Sequence, residues 1–138
     1  MLVSAPYIDE ILPTLYDFLG SADETVIVAH NSPFDLSFLK AAAVAHEIPW
    51  PDYQTIDTAR LARAVLDRDE VINCKLSTLA QFFGAATSPN HRALDDALAT
   101  VDVLHGLIER LAGFNIYNFE EMRSFPSKKR RAKRPIAE

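Results

Sequence analysis

The first segment whose residues could support chemistry is AHNSPFD, from Ala29 to Asp35, where a short β-branched run ends and a helix is predicted to begin. In parallel α/β sheets, ligands bind at the carboxyl ends of the strands, so a carboxylate on the first turn of that helix can face a site. The pattern Ser-x-x-Asp is also a capping box, in which Asp35 would reach back to the Ser32 N–H. Taken alone, this segment favours the capping role.

The second segment is HRALDDA, which begins at His91 and is predicted to open the last helix. Five residues on a straight helix correspond to a rotation of about 140°. His91 and Asp96 therefore share a site only if His91 lies on the approach to the helix or in a frayed first turn, a geometry that a cap at Asn90 or Ser88 could set. In the alternative interpretation, Asp95 and Asp96 only stabilise the positive end of the helix dipole, and His91 is a solvated loop residue.

The elements that must position these segments alternate between helices and short strands, which indicates an α/β fold. Glycines at positions 20 and 84 are predicted to end two of the helices. The predicted elements are a helix over 8–19, a buried strand over 25–29, a helix over 34–45, a second strand over 53–56, a helix over 58–66 capped by Asp57 or Thr58, a helix over 76–83, and a long last helix opened by Ser88-Pro89-Asn90.

The last helix carries an apolar stripe with spacings of three and four residues, which predicts its core-facing side. Beyond Gly113, the sequence FNIYNFEEMRSF gives no clear element and leads into a basic tail, SKKRRAKR, that we interpret as a linker. The stripe consists of Leu94, Ala97, Leu98, Val101, Leu104, Ile108 and Leu111.

Composition limits the class of protein and its partners. The 138 residues, with 49% hydrophobic and 24% charged side chains, are typical of one ordinary globular domain. The net charge of −5 conceals a split: six basic side chains lie within residues 128–134, which leaves residues 1–127 at −10. A body this acidic would need bound metal ions to approach nucleic acid. The sequence has a single cysteine, Cys74, and shows neither an apolar run long enough to span a membrane nor a secretory signal. These features favour a cytoplasmic location.

Taken together, AHNSPFDLSFL followed by HRALDDALAT resembles the second and third motifs of the DEDDh 3′-to-5′ exonucleases, the group that includes the proofreading epsilon subunit of bacterial DNA polymerase III. The segments IDTARLARAVL and KLSTLAQFFG look like the connecting helices of that family. The resemblance covers roughly residues 1–112 and leaves residues 113–138 as a C-terminal extension. It implies a ribonuclease H-like α/β fold and a metal-dependent 3′–5′ exonuclease that acts on DNA in replication proofreading or repair.

The resemblance also assigns residues. Asp35 and Asp96 match carboxylates that in the family hold two Mg²⁺ or Mn²⁺ ions, whereas Asp95 is one residue short of the pattern. His91 matches the general base. His30 and Asn31 would line the nucleotide pocket, although an asparagine at a strand-to-helix turn is commonly a backbone hydrogen-bonding residue.

One departure from the family pattern is that no Asp-x-Glu motif precedes Asp35. Asp9-Glu10 is adjacent rather than spaced by one, and Asp23-Glu24 falls in a loop. With that motif, the first three strands of the family's sheet would be missing, so we expect either a truncated or late-started chain or a short protein that has lost catalysis. With two of four carboxylates, we expect this chain alone to be inactive.

A different class of function is a non-catalytic interaction or nucleic-acid-binding module that retains the exonuclease scaffold. The expected partners are DNA 3′ ends, a polymerase, and a fused or associated endonuclease domain, with no membrane. The basic tail could bind phosphates or connect domains. An unpaired strand edge would favour a homodimer.

Overall fold

The computed structural model describes the backbone of residues 8–126 and their side chains, except for the side chains of residues 8 and 32–35. The first seven residues and the basic tail, which we interpreted as a linker, lie outside the described residues. Contacts divide the chain into two compact units, Met1–Ile56 and Asp57–Glu138, which are considered separately below. No described helix has the length and apolar character that a membrane span requires.

Helices alternate with strands as far as β2 and helices follow up to residue 123, a mixed α/β arrangement that confirms the α/β class. Every element except the last lies within a few residues of its predicted position. In chain order they are α1 (Ile8–Leu19), β1 (Val26–Ala29), α2 (Ser32–Ala45), β2 (Gln54–Asp57), α3 (Thr58–Val65), α4 (Leu76–Phe83), α5 (Ala93–Ala112) and α6 (Phe119–Arg123).

The first unit is built around β1 and β2, which pair in a small parallel sheet with α2 as the connection between them. Helix α1 ends where Gly20 adopts φ 77° and its N–H donates to the Tyr16 carbonyl oxygen at 2.9 Å. A left-handed residue after a helix satisfies its last carbonyls, and glycine adopts that conformation at low cost. The buried apolar side chains of this unit are Leu12, Leu36, Ala43, Tyr53 and Ile56.

The start of α2 corrects one expectation. The helix begins at Ser32 and its N-cap is Asn31, with φ 60° and ψ 46°, and this residue makes no side-chain capping hydrogen bond. The capping-box pattern had predicted Ser32 as the N-cap. The left-handed turn at Asn31 brings the chain from β1 into the helix one residue earlier, and asparagine tolerates that backbone conformation better than most residues.

The second unit contains four helices between residues 57 and 126, with α5 packed against α3 and α4. The Asp57 side chain accepts a hydrogen bond from the Ala59 N–H at 3.0 Å, so the predicted cap of α3 is confirmed. Gly106 of α5 lies directly against the ring of Phe83, where a β-carbon would overlap the ring. A glycine is therefore needed where α4 and α5 approach closely.

The predicted core face of α5 is confirmed at Leu111 and is wrong along most of the helix. Leu94 is 70% exposed and Val101 is 48% exposed. The side chains buried along α5 lie mostly on a neighbouring stripe, which is apolar except for Thr100. The sequence could not decide between the two stripes, because packing against α3 and α4 determines which one is covered. The buried set is Ala99, Thr100, Val103, Leu107 and Leu111.

The segment beyond Gly113 contains the short helix α6, which was not predicted from the residue pattern. Asn118 caps it by accepting a hydrogen bond from the Glu121 N–H at 2.8 Å. Phe125 is 6% exposed and contacts Phe114 edge to face, with 5.2 Å between the ring centroids. The described part of this segment, up to Pro126, thus contains a short helix and one buried aromatic ring, and most of its other side chains are exposed.

Candidate functional site

The approach to α5 places His91 immediately before the helix. The helix starts at Ala93, Arg92 is the N-cap without a side-chain capping bond, and His91 has φ 68°. A non-glycine residue in the left-handed region is uncommon and needs local support. The condition under which His91 and Asp96 can share a site is thus met, because His91 is not part of the straight helix.

The carboxylate of Asp96 supplies that support. Its Oδ1 accepts hydrogen bonds from the backbone N–H groups of Asn90, at 3.1 Å, and His91, at 3.2 Å. The backbone of Asp96 is itself fixed, since its N–H donates to the Arg92 carbonyl at 2.9 Å and its carbonyl accepts from Thr100 Oγ1 at 2.7 Å. A carboxylate in the first turn of α5 therefore holds the residues that lead into the helix by hydrogen bonds.

A second set of hydrogen bonds centres on Asn90, which was predicted only as a possible cap of the last helix. Its Oδ1 accepts from the Arg92 N–H at 3.0 Å, and its Nδ2 donates to Asp95 Oδ2 at 2.8 Å. An asparagine that bonds the N–H two residues ahead forms an Asx turn, and such turns have a recognisable residue preference. Asp95, which falls outside the family pattern, therefore has a contact of its own.

The preceding loop is also attached to α5. Asp102 accepts a hydrogen bond from the Ala86 N–H through Oδ2 at 3.0 Å. Positions 96 and 102 are about 9 Å apart along a helix. Two carboxylates of one helix thus hold the segment between Gly84 and Arg92 at both ends. Nothing in the residue pattern identified Asp102 as an anchor.

The first motif segment lies in the other unit. Asp35 occupies the fourth position of α2, and Asp96 occupies the fourth position of α5. The Asp35 side chain is outside the described residues. His30 directly follows β1, and Asn31 forms the left-handed turn into α2. The structure therefore brings together His91 and Asp96 of the predicted set, and the other three residues share a strand-to-helix junction.

The carboxylate at the start of α5 could supply one ligand to a metal ion. Asp96 is partly buried and His91 is exposed to solvent. Both Asp96 hydrogen bonds end on Oδ1, and among the described residues none ends on Oδ2, which leaves a hard oxygen of the type that Mg²⁺ prefers. No group of three or more His, Cys, Asp or Glu side chains able to hold a metal ion occurs within residues 8–126 as described. The described residues thus supply one ligand position rather than a complete site.

Comparison with known proteins identifies relatives across nearly the whole chain. A family model described as Exonuclease, of the RNase T type, matches residues 1–104. A bifunctional exonuclease/endonuclease protein of Mycobacterium tuberculosis is 48% identical over 100% of this chain and 21% of its own length. PolC-type DNA polymerase III of Caldanaerobacter subterraneus is 36% identical over 90% of the chain and 8% of its own length.

PolC-type DNA polymerase III of Thermotoga maritima is 33% identical over 88% of the chain and likewise 8% of its own length. No solved structure matches the chain. The chain thus spans about a fifth or less of the length of these relatives. The family match covers most of the chain and includes both motif segments. This protein belongs to the exonuclease family.

Proposed function

We propose that the chain contributes the second and third motifs of a metal-dependent 3′–5′ exonuclease that acts on DNA. The observation that carries the proposal is the start of α5, where Asp96 holds the N–H groups of Asn90 and His91. That contact keeps an imidazole-bearing residue and a carboxylate on one short segment within the family match. The proposal includes a ribonuclease H-like fold of which residues 1–112 form a part, with residues 113–138 as an extension.

In this proposal the residues divide the work. Asp35 and Asp96 hold divalent ions, Mg²⁺ or Mn²⁺, which when bound lower the pKa of the attacking water and stabilise the leaving 3′ oxygen. His91 accepts the proton of the attacking water through its imidazole, which is exposed and therefore accessible to substrate. His30 and Asn31 contact the terminal nucleotide from the turn between β1 and α2. The products are a 5′-mononucleotide and a DNA strand with a new 3′ hydroxyl.

We also propose that these 138 residues by themselves bind 3′ ends without appreciable hydrolysis. Asp35 and Asp96 are two of the four carboxylates that the resemblance requires, and two divalent ions need more negative charge than two carboxylates supply. The alternative of a non-catalytic binding module also predicts binding without hydrolysis. The two differ in whether binding requires metal and Asp96.

The names of the relatives suggest the setting. PolC-type polymerases and a bifunctional exonuclease/endonuclease contain segments similar to this chain. We therefore propose a polymerase or an endonuclease domain as the physical partner, in DNA replication or repair in the cytoplasm. The apolar side chains exposed along α5 would lose solvent contact in a homodimer, which sedimentation at micromolar concentration would detect.

The test uses oligonucleotides labelled at the 5′ end, with either a 3′ hydroxyl or a blocked 3′ phosphate. With Mn²⁺, we expect the chain to bind the 3′-hydroxyl form more tightly, and we expect Asp96→Asn to abolish that preference while Asp102→Asn retains it. An extended chain that supplies an Asp-x-Glu strand should shorten the strand stepwise from its 3′ end. Binding that is indifferent to metal and to Asp96→Asn would favour the module, and degradation from the 5′ end would refute the proposed direction.

A further inference from the structure

The segment that precedes α5 has more hydrogen bonds than a helix start needs. A cap requires one or two acceptors for the first N–H groups of the helix. Here the bonds run the other way, since the helix carboxylates Asp95 and Asp96 accept from residues that come before the helix. The contacts thus fix the approach segment rather than the helix end.

Asn90 is the residue that joins these contacts. It uses three groups at once: its backbone N–H donates to Asp96 Oδ1, its side-chain Oδ1 accepts from the Arg92 N–H, and its Nδ2 donates to Asp95 Oδ2. The three bonds lie on both sides of His91, which has φ 68°. Residues with a β-carbon adopt that conformation infrequently, although histidine does so more often than most, so contacts on both sides of His91 help to stabilise it.

We propose that Asn90 is a positioning residue of the site. Together with Asp95 it clamps the turn over residues 90–92, so that His91 stays in the left-handed conformation and Asp96 keeps Oδ1 on the two backbone N–H groups. This leaves Asp96 Oδ2 for a divalent ion. The inference rests on the proposed function for the role of the ion, but the clamp itself is a property of the contacts.

The chemistry of the pair allows a sharp test by exchange of its two members. Asn90→Asp keeps the acceptor for Arg92 but replaces the Nδ2 donor with a carboxylate that faces the carboxylate of Asp95. Asp95→Asn alone removes a charge and keeps an acceptor for Asn90. In the double variant, Asn90→Asp with Asp95→Asn, the donor and the acceptor exchange places and the net charge of the pair is unchanged. A positioning role therefore predicts that the double variant recovers what Asn90→Asp loses.

The first readout needs no metal. Amide hydrogen exchange at His91, measured by NMR on the complete 138-residue chain, reports whether its N–H still bonds to Asp96. Loss of a hydrogen bond of ordinary strength corresponds to roughly 3- to 10-fold faster exchange. We expect this for Asn90→Ala and Asn90→Asp, and near wild-type exchange for the double variant. The matched control is Asp102→Ala, which removes one N–H to carboxylate bond from the same helix and should leave exchange at His91 within about twofold.

The second readout is the affinity for Mn²⁺, followed by paramagnetic broadening of the Asp96 signals. Loss of partners that orient a metal ligand typically lowers metal affinity about 10- to 100-fold. Asn90→Ala should show this, Asp102→Ala should not, and the double variant should bind like wild type. A residue with a merely structural role would lower the melting temperature without changing Mn²⁺ affinity relative to Asp102→Ala.

The two readouts separate the two ideas. If wild type binds no Mn²⁺ near Asp96, the proposed metal role fails, whereas faster exchange at His91 in Asn90→Ala and its recovery in the double variant still support the clamp. If exchange at His91 stays within about twofold of wild type in Asn90→Ala, or if the double variant behaves like Asn90→Asp, the positioning role is refuted.

Discussion

In the first unit, five apolar side chains are buried among the described residues, whereas in the second unit thirteen are buried, mostly along α3, α4 and α5. Each unit carries one motif segment at the start of a helix. Asp35 follows a strand through a left-handed turn at Asn31, and Asp96 follows a loop that its own helix holds by hydrogen bonds. Both carboxylates therefore occupy the fourth position of a helix. The chain enters the helix of Asp35 from a paired strand, and it enters the helix of Asp96 from a loop that side-chain hydrogen bonds hold.

This difference indicates a division of roles. In the second unit α5 packs on a larger set of buried apolar side chains. Its Asp96 and Asp102 carboxylates accept hydrogen bonds from the loop that carries His91. In the first unit the turn at Asn31 joins β1, none of whose residues is buried, to α2, and fewer apolar side chains are buried in this unit. We therefore expect loss of the Asp96 carboxylate to disturb both the backbone before α5 and the proposed chemistry, whereas loss of the Asp35 carboxylate should leave that backbone unchanged.

The largest effect should come from loss of the proposed general base, the imidazole of His91 in the second unit. In an extended chain that adds an Asp-x-Glu strand, His91→Ala should slow turnover about 10²- to 10⁴-fold while Mn²⁺ affinity changes little, because a base moves a proton and does not hold the ion. Asp35→Ala should instead weaken Mn²⁺ binding. Single-turnover kinetics and Mn²⁺ titration measure the two quantities. Equal losses of Mn²⁺ affinity in both variants would show that the base assignment is wrong.

The next effect concerns the core behind α5. Leu107 is fully buried and Leu98 is 45% exposed on the same helix. Leu107→Ala should lower the free energy of unfolding by about 2–5 kcal/mol, since it removes packed methyl groups and leaves a cavity. Leu98→Ala, the matched control, should cost below about 1 kcal/mol. Urea denaturation checks both. A cost for Leu98→Ala as large as that for Leu107→Ala would mean that the exposed stripe is covered in solution.

A smaller effect should distinguish the two helix starts. Asp96→Ala removes the acceptor of two backbone N–H groups, so amide exchange at Asn90 and His91 should become about 10-fold faster. Asp35→Ala should leave exchange at those two residues unchanged, because it belongs to the other unit. NMR hydrogen exchange on the 138-residue chain is the measurement. Faster exchange at His91 in Asp35→Ala would contradict the assignment of this N–H to contacts within the second unit alone.

Sequence-based prediction succeeded where the signal was local. Gly20 and Gly84 end helices because glycine adopts the left-handed conformation, and both have positive φ in the structure. The cap at Asp57 was likewise predicted from residue type at a helix start. The motif segments were also located correctly at helix starts, although the exact first residue of α2 was not.

Prediction failed where distant contacts decide the outcome. Leu94 and Val101 were assigned to the core because they repeat with helical spacing, but a second apolar stripe on α5 has the same spacing, and only its neighbours decide between the two. The asparagine at position 90 is a residue type that favours an Asx turn, but residue type alone does not identify Asp95 as the partner of its Nδ2. Asp102 was missed because its partner, Ala86, lies 16 residues away.

The smallest expected effect lies in the first unit, where the Tyr16 hydroxyl is buried and has no hydrogen-bond partner among the described residues. Its ring contacts Trp50 edge to face, at 6.0 Å between centroids, and Trp50 contacts Tyr53 in the same way at 5.8 Å. An unsatisfied buried hydroxyl is unfavourable, so Tyr16→Phe should leave stability at neutral pH unchanged or raise it by up to about 1 kcal/mol. Tyr53→Phe is the control, because the Tyr53 hydroxyl donates to the Gly20 carbonyl at 3.4 Å.

The pH dependence makes the same comparison more specific. Burial, and next the nearby Tyr53, raise the pKa of Tyr16 above its ordinary value of 10.0. In the unfolded chain the hydroxyl therefore ionises at lower pH than in the folded chain, so its contribution to stability is complete below about pH 10 and is lost as the pH rises above that value. Tyr16→Phe should remove this loss and flatten the stability curve above pH 10, as urea denaturation at pH 8 to 11 would show. A curve as steep as that of wild type would mean that the hydroxyl is hydrated in solution.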